Sequence, residues 1–228
     1  MTPVDRPLAL GELLAETTRL YSARFSAALG LGAVVGGALF VGILTGHVVG
    51  FVGLLSVTFT AAYAVAARLV SGDRFGEAWA QVALRAPVLL VLTLVVSLPF
   101  AIGRIDPVLF IFAVLWLALM GFSIPVAVVE RDYESRGSLG QLGFALWRSV
   151  SLARAEYLHA LGVAAALAVS YVLFSALLAG ALAGFAENSE RAASVLAQIV
   201  LAPFFFLGLA VLYFEQRARA VSSPRPRS

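Results

Sequence analysis

Residues 107–136 read PVLFIFAVLWLALMGFSIPVAVV-ERDYESR, and the contrast between the two halves of this stretch decides the fold. From Pro107 to Val129 there is no charge, and then five of seven residues are charged. A helix needs about 20 apolar residues to cross roughly 30 Å of hydrocarbon. A membrane strand needs about 10 positions with alternating polarity, and this run is apolar on every face. It reads as a transmembrane helix, and ERDYESR reads as its exit into water.

The same pattern recurs along the chain. Apolar runs extend over about Ser26 to Thr45, Val48 to Val70, Ala86 to Gly103, Ala160 to Phe185 and Ala193 to Phe214, giving six expected spans. Composition agrees: 61% of the 228 residues are hydrophobic and 13% charged, against about a quarter charged in soluble domains. One soluble domain of this length does not hold six helices that are apolar all round. The first 25 residues carry Asp5, Glu12 and Glu16 and lack the basic start and short apolar core of a removable signal peptide, so none is expected.

The arginines set the topology. All sixteen cations are arginine, and cytoplasmic connections collect such charge. Fourteen fall in alternate segments: before the first span, between spans two and three, between four and five, and after six. The other connections hold only Arg104 and Arg191. Both termini are therefore expected in the cytoplasm of a prokaryotic plasma membrane, with ERDYESR the inner exit of span four.

Each long inner connection also carries a stretch with apolar residues at helical spacing: Leu10, Leu13, Leu14, Thr17 and Tyr21; Phe75, Ala78, Trp79 and Val82; Leu139, Leu142, Leu146 and Val150. These stretches open alike, as Leu10-Gly-Glu, Phe75-Gly-Glu and Leu139-Gly-Gln, 65 and 64 residues apart. Ser138 with Gln141 matches a capping box, and Asp73 with Glu77 places acids at the second start. The fold expected is an all-α membrane protein: six transmembrane helices in three parallel hairpin repeats, each preceded by a cytoplasmic amphipathic helix. One membrane domain over 1–220 divides into units of about 8–72, 73–136 and 137–219, followed by a disordered basic tail over 221–228. Gly32 with Gly36, Gly42 with Gly46, and Gly180 with Gly184 are small residues four apart, suited to close helix packing. Pro99, Pro125 and Pro203 are expected to bend their spans.

Reactive chemistry is sparse. Without cysteine or lysine, thiolate catalysis, disulfides, Schiff bases and a phosphate-loop lysine are excluded. His47 and His159 fall at opposite ends of the spans, so no metal site or acid–base pair uses both. No Asp, Glu, Arg or His lies near mid-span. The polar residues at depth, among them Ser56, Thr60, Thr93, Ser97, Tyr171 and Gln198, are neutral and suited to bonding helix carbonyls or each other. The charges around Glu130 and the Glu215–Arg219 pair read as exposed ion pairs worth at most about 1 kcal/mol each. Their functional alternative is a lipid head-group or partner site formed by Arg19, Arg24, Arg85, Glu130, Arg131, Arg148 and Arg154.

Leu10-Gly-Glu with Tyr21 and Phe25, Pro125 followed by Glu130, Ala145-x-x-Arg148-Ser149-x-x-Leu152, and Tyr213-Phe-Glu-x-Arg217-x-Arg219 carry a resemblance. In these residues the chain resembles the prokaryotic family named for the membrane domain of glycerophosphoryl diester phosphodiesterases. Glu215 stands where that family usually has aspartate, and Ala155 where it has glycine. The resemblance implies six helices and a role at the membrane. Phosphodiesterase chemistry belongs to a separate soluble domain and is not implied. The expected function is a non-catalytic membrane scaffold, assembly subunit or lipid-handling module, without cofactor or metal. Its expected partners are anionic head groups on the cytoplasmic face and a protein partner or second copy, with no nucleic acid. The alternative is a channel or transporter for a neutral or lipophilic solute.

Overall fold

Long uncharged runs become long helices, and several of the described breaks between them fall at a glycine or at a single charged residue. A computed structural model describes residues 6–99, 107–130, 137–183 and 189–222, and no strand occurs among them. The elements are α1 (Leu10–Ala23), α2 (Phe25–Thr45), α3 (Val48–Ser71), α4 (Phe75–Leu84), α5 (Ala86–Leu92) with a π-helical turn (Thr93–Ser97), α6 (Pro107–Met120), α7 (Ser123–Val129), α8 (Ser138–Ala155), α9 (Tyr157–Ala183) and α10 (Ser189–Ser222).

Five helical segments among the described residues are long and apolar enough to cross a membrane: Phe25–Thr45, Val48–Ser71, Val108–Val129, Tyr157–Ala181 and Arg191–Ser222. There are six if α4 and α5, bent by 79° at Arg85, count as one span. This is the make-up of a multi-pass helical membrane protein. The outer end of the expected third span, 100–103, lies outside the described residues, as does ERDYESR beyond Glu130.

Proline accounts for the irregular helices, because each one removes a donor and leaves the carbonyl four residues earlier without its helical partner. Pro99 cannot donate to Val95. The preceding turn widens so that Leu98 N–H reaches Thr93 O, and Trp116 Nε1 from α6 donates to Val95 O at 2.7 Å. Pro125 cannot donate to Gly121. The span is interrupted between α6 and α7, and Ile124 N donates to Gly121 O instead, at 3.3 Å. Pro203 lies inside α10 and frees Ile199 O, which packs on the face of Gly32: a Cβ at Gly32 would overlap that oxygen. A Cβ at Gly36 would meet Ile199 Cγ1 at 2.7 Å, and one at Gly42 would enter the Phe51 ring.

Gly46 has a different task. At φ 65° it ends α2 in the left-handed conformation, with no described atom within 4 Å of where its Cβ would be. Gly180 likewise has no described neighbour within 4 Å, and Gly184 lies outside the described residues.

Helix starts at α1 and α4 follow the acids of the first turns. Glu12 Oε2 accepts Ala9 N at 3.0 Å, and Glu77 Oε2 accepts Arg74 N at 3.1 Å, so an acid in the first turn satisfies the flanking amide. At α4 the acids do sit around the start, with Glu77 in the first turn after the N-cap Arg74. At α8 the N-cap is Gly137 rather than Ser138, one residue before the position expected for the capping side chain.

The centre of the bundle is α10, which packs against α9, α2, α3, α1 and α8. Every residue from Phe205 to Gln216 is buried, leaving no face of this segment for lipid. Aromatic rings fill the middle. Phe59 of α3 meets Phe206 at 5.0 Å and Phe205 at 6.0 Å edge-on, and Tyr171 of α9 stacks on Phe205 at 5.0 Å. Since lipid tails are as apolar as leucine, this close packing, rather than escape from water, holds the helices together.

Candidate functional site

Several charged residues meet at one end of the bundle, and some of them satisfy backbone groups. The last carbonyls of α7 have no helical donor. Arg85 Nη1 reaches Ala127 O at 2.5 Å, and Arg68 Nη1 reaches Val128 O at 3.1 Å. Beyond the end of α3, Arg24 Nη1 donates to Asp73 O at 2.6 Å. Arg68 Nε lies 2.6 Å from Asp73 Oδ2, paired by charge but outside hydrogen-bonding alignment. Guanidinium groups are suited to this work, since their donors are planar, numerous and always charged.

Two carboxylates occupy the centre of this end. Glu130, just after α7, is 9% exposed, and its Oε1 accepts Tyr213 Oη at 3.1 Å and Arg148 Nε at 3.3 Å. Glu215 in α10 is fully buried. It accepts Leu8 N at 3.4 Å, Gln216 Nε2 at 3.1 Å and Arg219 Nε, and lies 3.7 Å from His159 Nε2. Arg219 also donates to Glu156 and, at 3.0 Å, to Leu8 O. Both backbone groups of Leu8 are thus held by side chains of α10.

This corrects the expectation of exposed ion pairs. The sequence gives the spacing of Glu215 and Arg219 but not the return of the N-terminal segment over them, nor the approach of α8 and α9 from the sides. Burial makes these pairs costly to break, because a carboxylate stripped of its partner inside a protein keeps its desolvation penalty.

The seven residues expected to meet head groups fare differently. Arg24, Arg85, Glu130 and Arg148 are engaged inside the protein as described. Arg19 is exposed but paired with Glu16 at 2.5 Å. That contact, first as a hydrogen bond and then through charge, lowers the Glu16 pKa. Arg131 lies outside the described residues. Arg154, in the last turn of α8, is exposed and makes no hydrogen bond or ion pair among the described residues.

At the level of the spans two sets of polar side chains bond to one another, while others such as Ser56 and Ser123 bond helix carbonyls. Thr60, Thr93 and Ser97 form a buried hydroxyl cluster, with Thr60 Oγ1 2.6 Å from Ser97 Oγ and 3.0 Å from Thr93 Oγ1. Thr93 also reaches Leu89 O at 2.8 Å, and Tyr171 donates to Gln198 Oε1. A cavity of about 200 Å³ adjoins Thr60 and Thr93 beneath Trp79. Among the described residues no three histidine or acidic side chains converge as metal ligands.

The burial of Glu130 and Tyr213 was missed by sequence reasoning. Its one signal was that Tyr213 and Phe214 extend the apolar run of α10 directly up to Glu215. Comparison of the chain with protein-family models, with curated proteins and with solved structures gives no match.

Proposed function

We propose that the protein is a non-catalytic plasma-membrane scaffold that contacts lipid on its outer faces, with both termini in the cytoplasm. The observation that carries this reading is the interior. Phe59, Tyr63, Tyr171, Phe205 and Phe206 fill the space between α3, α9 and α10, and Glu130 and Glu215 are both engaged by donors. An acid–base or nucleophilic role needs a positioned group with access to substrate. The likeness to the phosphodiesterase membrane-domain family remains part of the proposal, and so do the three parallel repeats. Support for the repeats comes from the junctions: α1, α4 and α8 each pass into the next helix through a single residue, Arg24, Arg85 and Glu156.

The test has two parts. Side-specific labelling of single cysteines at Ala186 and Ser223 should place them on opposite sides of the membrane. Purified protein in proteoliposomes should be impermeable to a broad panel of neutral and lipophilic solutes while retaining lipid in native mass spectrometry. Saturable flux would replace the scaffold reading with transport. The Thr60–Thr93–Ser97 cluster beside its cavity is the observation favouring that second reading, since three neutral hydroxyls offer a small polar solute alternative partners.

A further inference from the structure

A second, larger hollow opens on the side of the bundle between the end of the π-helical turn, α6 and the start of α9. It has a volume of about 510 Å³, within the usual range for ligand sites, and it is lined by Pro99, Leu109, Phe112, Trp116, Leu119 and Tyr157 together with further apolar residues. Its two polar lining groups are turned to backbone: Trp116 Nε1 to Val95 O at 2.7 Å, and Tyr157 Oη to Leu115 O at 3.3 Å. The walls therefore offer contact area and no free donor.

The dimensions fit one kind of occupant. From Leu109 to Leu119 the groove follows α6 for ten residues, about 15 Å at the helical rise. That is about half of the roughly 30 Å hydrocarbon thickness, a length that one acyl chain can follow. At the Tyr157 end, three residues back along the chain, stands Arg154, an exposed cation that makes no hydrogen bond or ion pair among the described residues. Its neighbours in kind are occupied: Arg148 by Glu130, Arg85 by Ala127 O and Arg24 by Asp73 O.

We propose that this groove holds one acyl chain of an anionic phospholipid, with Arg154 facing its phosphate at the leaflet boundary. The inference rests on the reading that the bundle spans a bilayer, and it adds to that reading a site and a lipid class. Selectivity comes from the head group, because any acyl chain satisfies the walls.

Trp116 is a reporter within the groove, and the chain has only three tryptophans. In Trp79→Phe/Trp147→Phe protein reconstituted in phosphatidylcholine vesicles, brominated phosphatidylglycerol should quench Trp116 at about fivefold lower mole fraction than brominated phosphatidylcholine, the weight of one arginine at an anionic surface. Arg154→Gln should make the two lipids equivalent, and inorganic phosphate should leave the quenching unchanged. Equal quenching in the parent, a preference that survives Arg154→Gln, or displacement by phosphate would overturn the proposal. Quenching by neither lipid would overturn the membrane-spanning reading as well. Native mass spectrometry of the wild-type chain and Arg154→Gln from mixed phosphatidylglycerol–phosphatidylcholine nanodiscs provides the same comparison without the tryptophan substitutions: the wild type should retain phosphatidylglycerol preferentially, and equal retention by the two proteins would count against the site.

Discussion

Replacing Glu215 by alanine tests whether the charged end of the bundle is an interior or a surface. Glu215 is fully buried and accepts from Leu8 N, Gln216 Nε2 and Arg219 Nε. Its removal strands Arg219 beside His159, with Glu156 as the remaining carboxylate. Breaking a buried pair by deleting one partner costs several kcal/mol; because Arg219 keeps 18% exposure and Glu156, the low end applies, about 3 kcal/mol. Reversible unfolding in mixed micelles would measure the loss, and Glu215→Ala/Arg219→Ala should recover part of it, giving a coupling of about 1–3 kcal/mol. Because Leu8 is held through both backbone groups, its amide should also lose hydrogen-exchange protection in the single variant. A cost of about 1 kcal/mol or less, the value for an exposed pair, together with zero coupling, would refute the reasoning.

The remaining predictions address the backbone. Gly32→Ala should force α2 from α10 and lower thermal stability, whereas Gly180→Ala should be neutral or slightly stabilising in the same melt. Trp116→Phe leaves Val95 O without its donor at a cost of about 1–2 kcal/mol. Adding Pro99→Ala, which restores an amide there, should recover most of that loss in the same unfolding assay. Tyr213→Phe should destabilise the bundle by about 1.5–3 kcal/mol, since the lost bond is to a buried charged group. The backbone bond from Ala9, then the charge of Arg6, holds the Glu12 pKa below its ordinary value, so this cap is complete above the usual carboxylate range and is lost as pH falls through the lowered value. Protection of the Ala9 amide, corrected for intrinsic exchange, should fall with acidification, and Glu12→Gln should remove that dependence.

The class of the fold was legible because its signal is long: a run such as Val48–Ser71 contains enough apolar residues to outweigh every local ambiguity. The prolines were legible as bends. Their consequences were not, because which side chain captures a freed carbonyl depends on the neighbouring helix. Nothing near Trp116 in sequence points to Val95, and nothing near Gly32 points to Ile199. The site failed for the same reason. Arginine at a membrane boundary reads as solvated charge, yet Arg24, Arg68 and Arg85 are spent on the ends of other helices, a pairing fixed by tertiary packing. Glu215 and Arg219 were read as partners from their spacing, while their burial depends on Leu8, some two hundred residues earlier.

The position of α10 at the heart of the bundle has a consequence for biogenesis. Helices enter the bilayer in the order of translation, so α2, α3 and α9 must wait there as provisional pairs until the element they all pack upon emerges. The two clasps on Leu8 then bring the earliest described segment onto one of the latest. A nascent chain halted before α10 should therefore expose small-residue faces such as Gly32 and Gly36 to lipid, and present them to membrane quality-control proteases as unfinished.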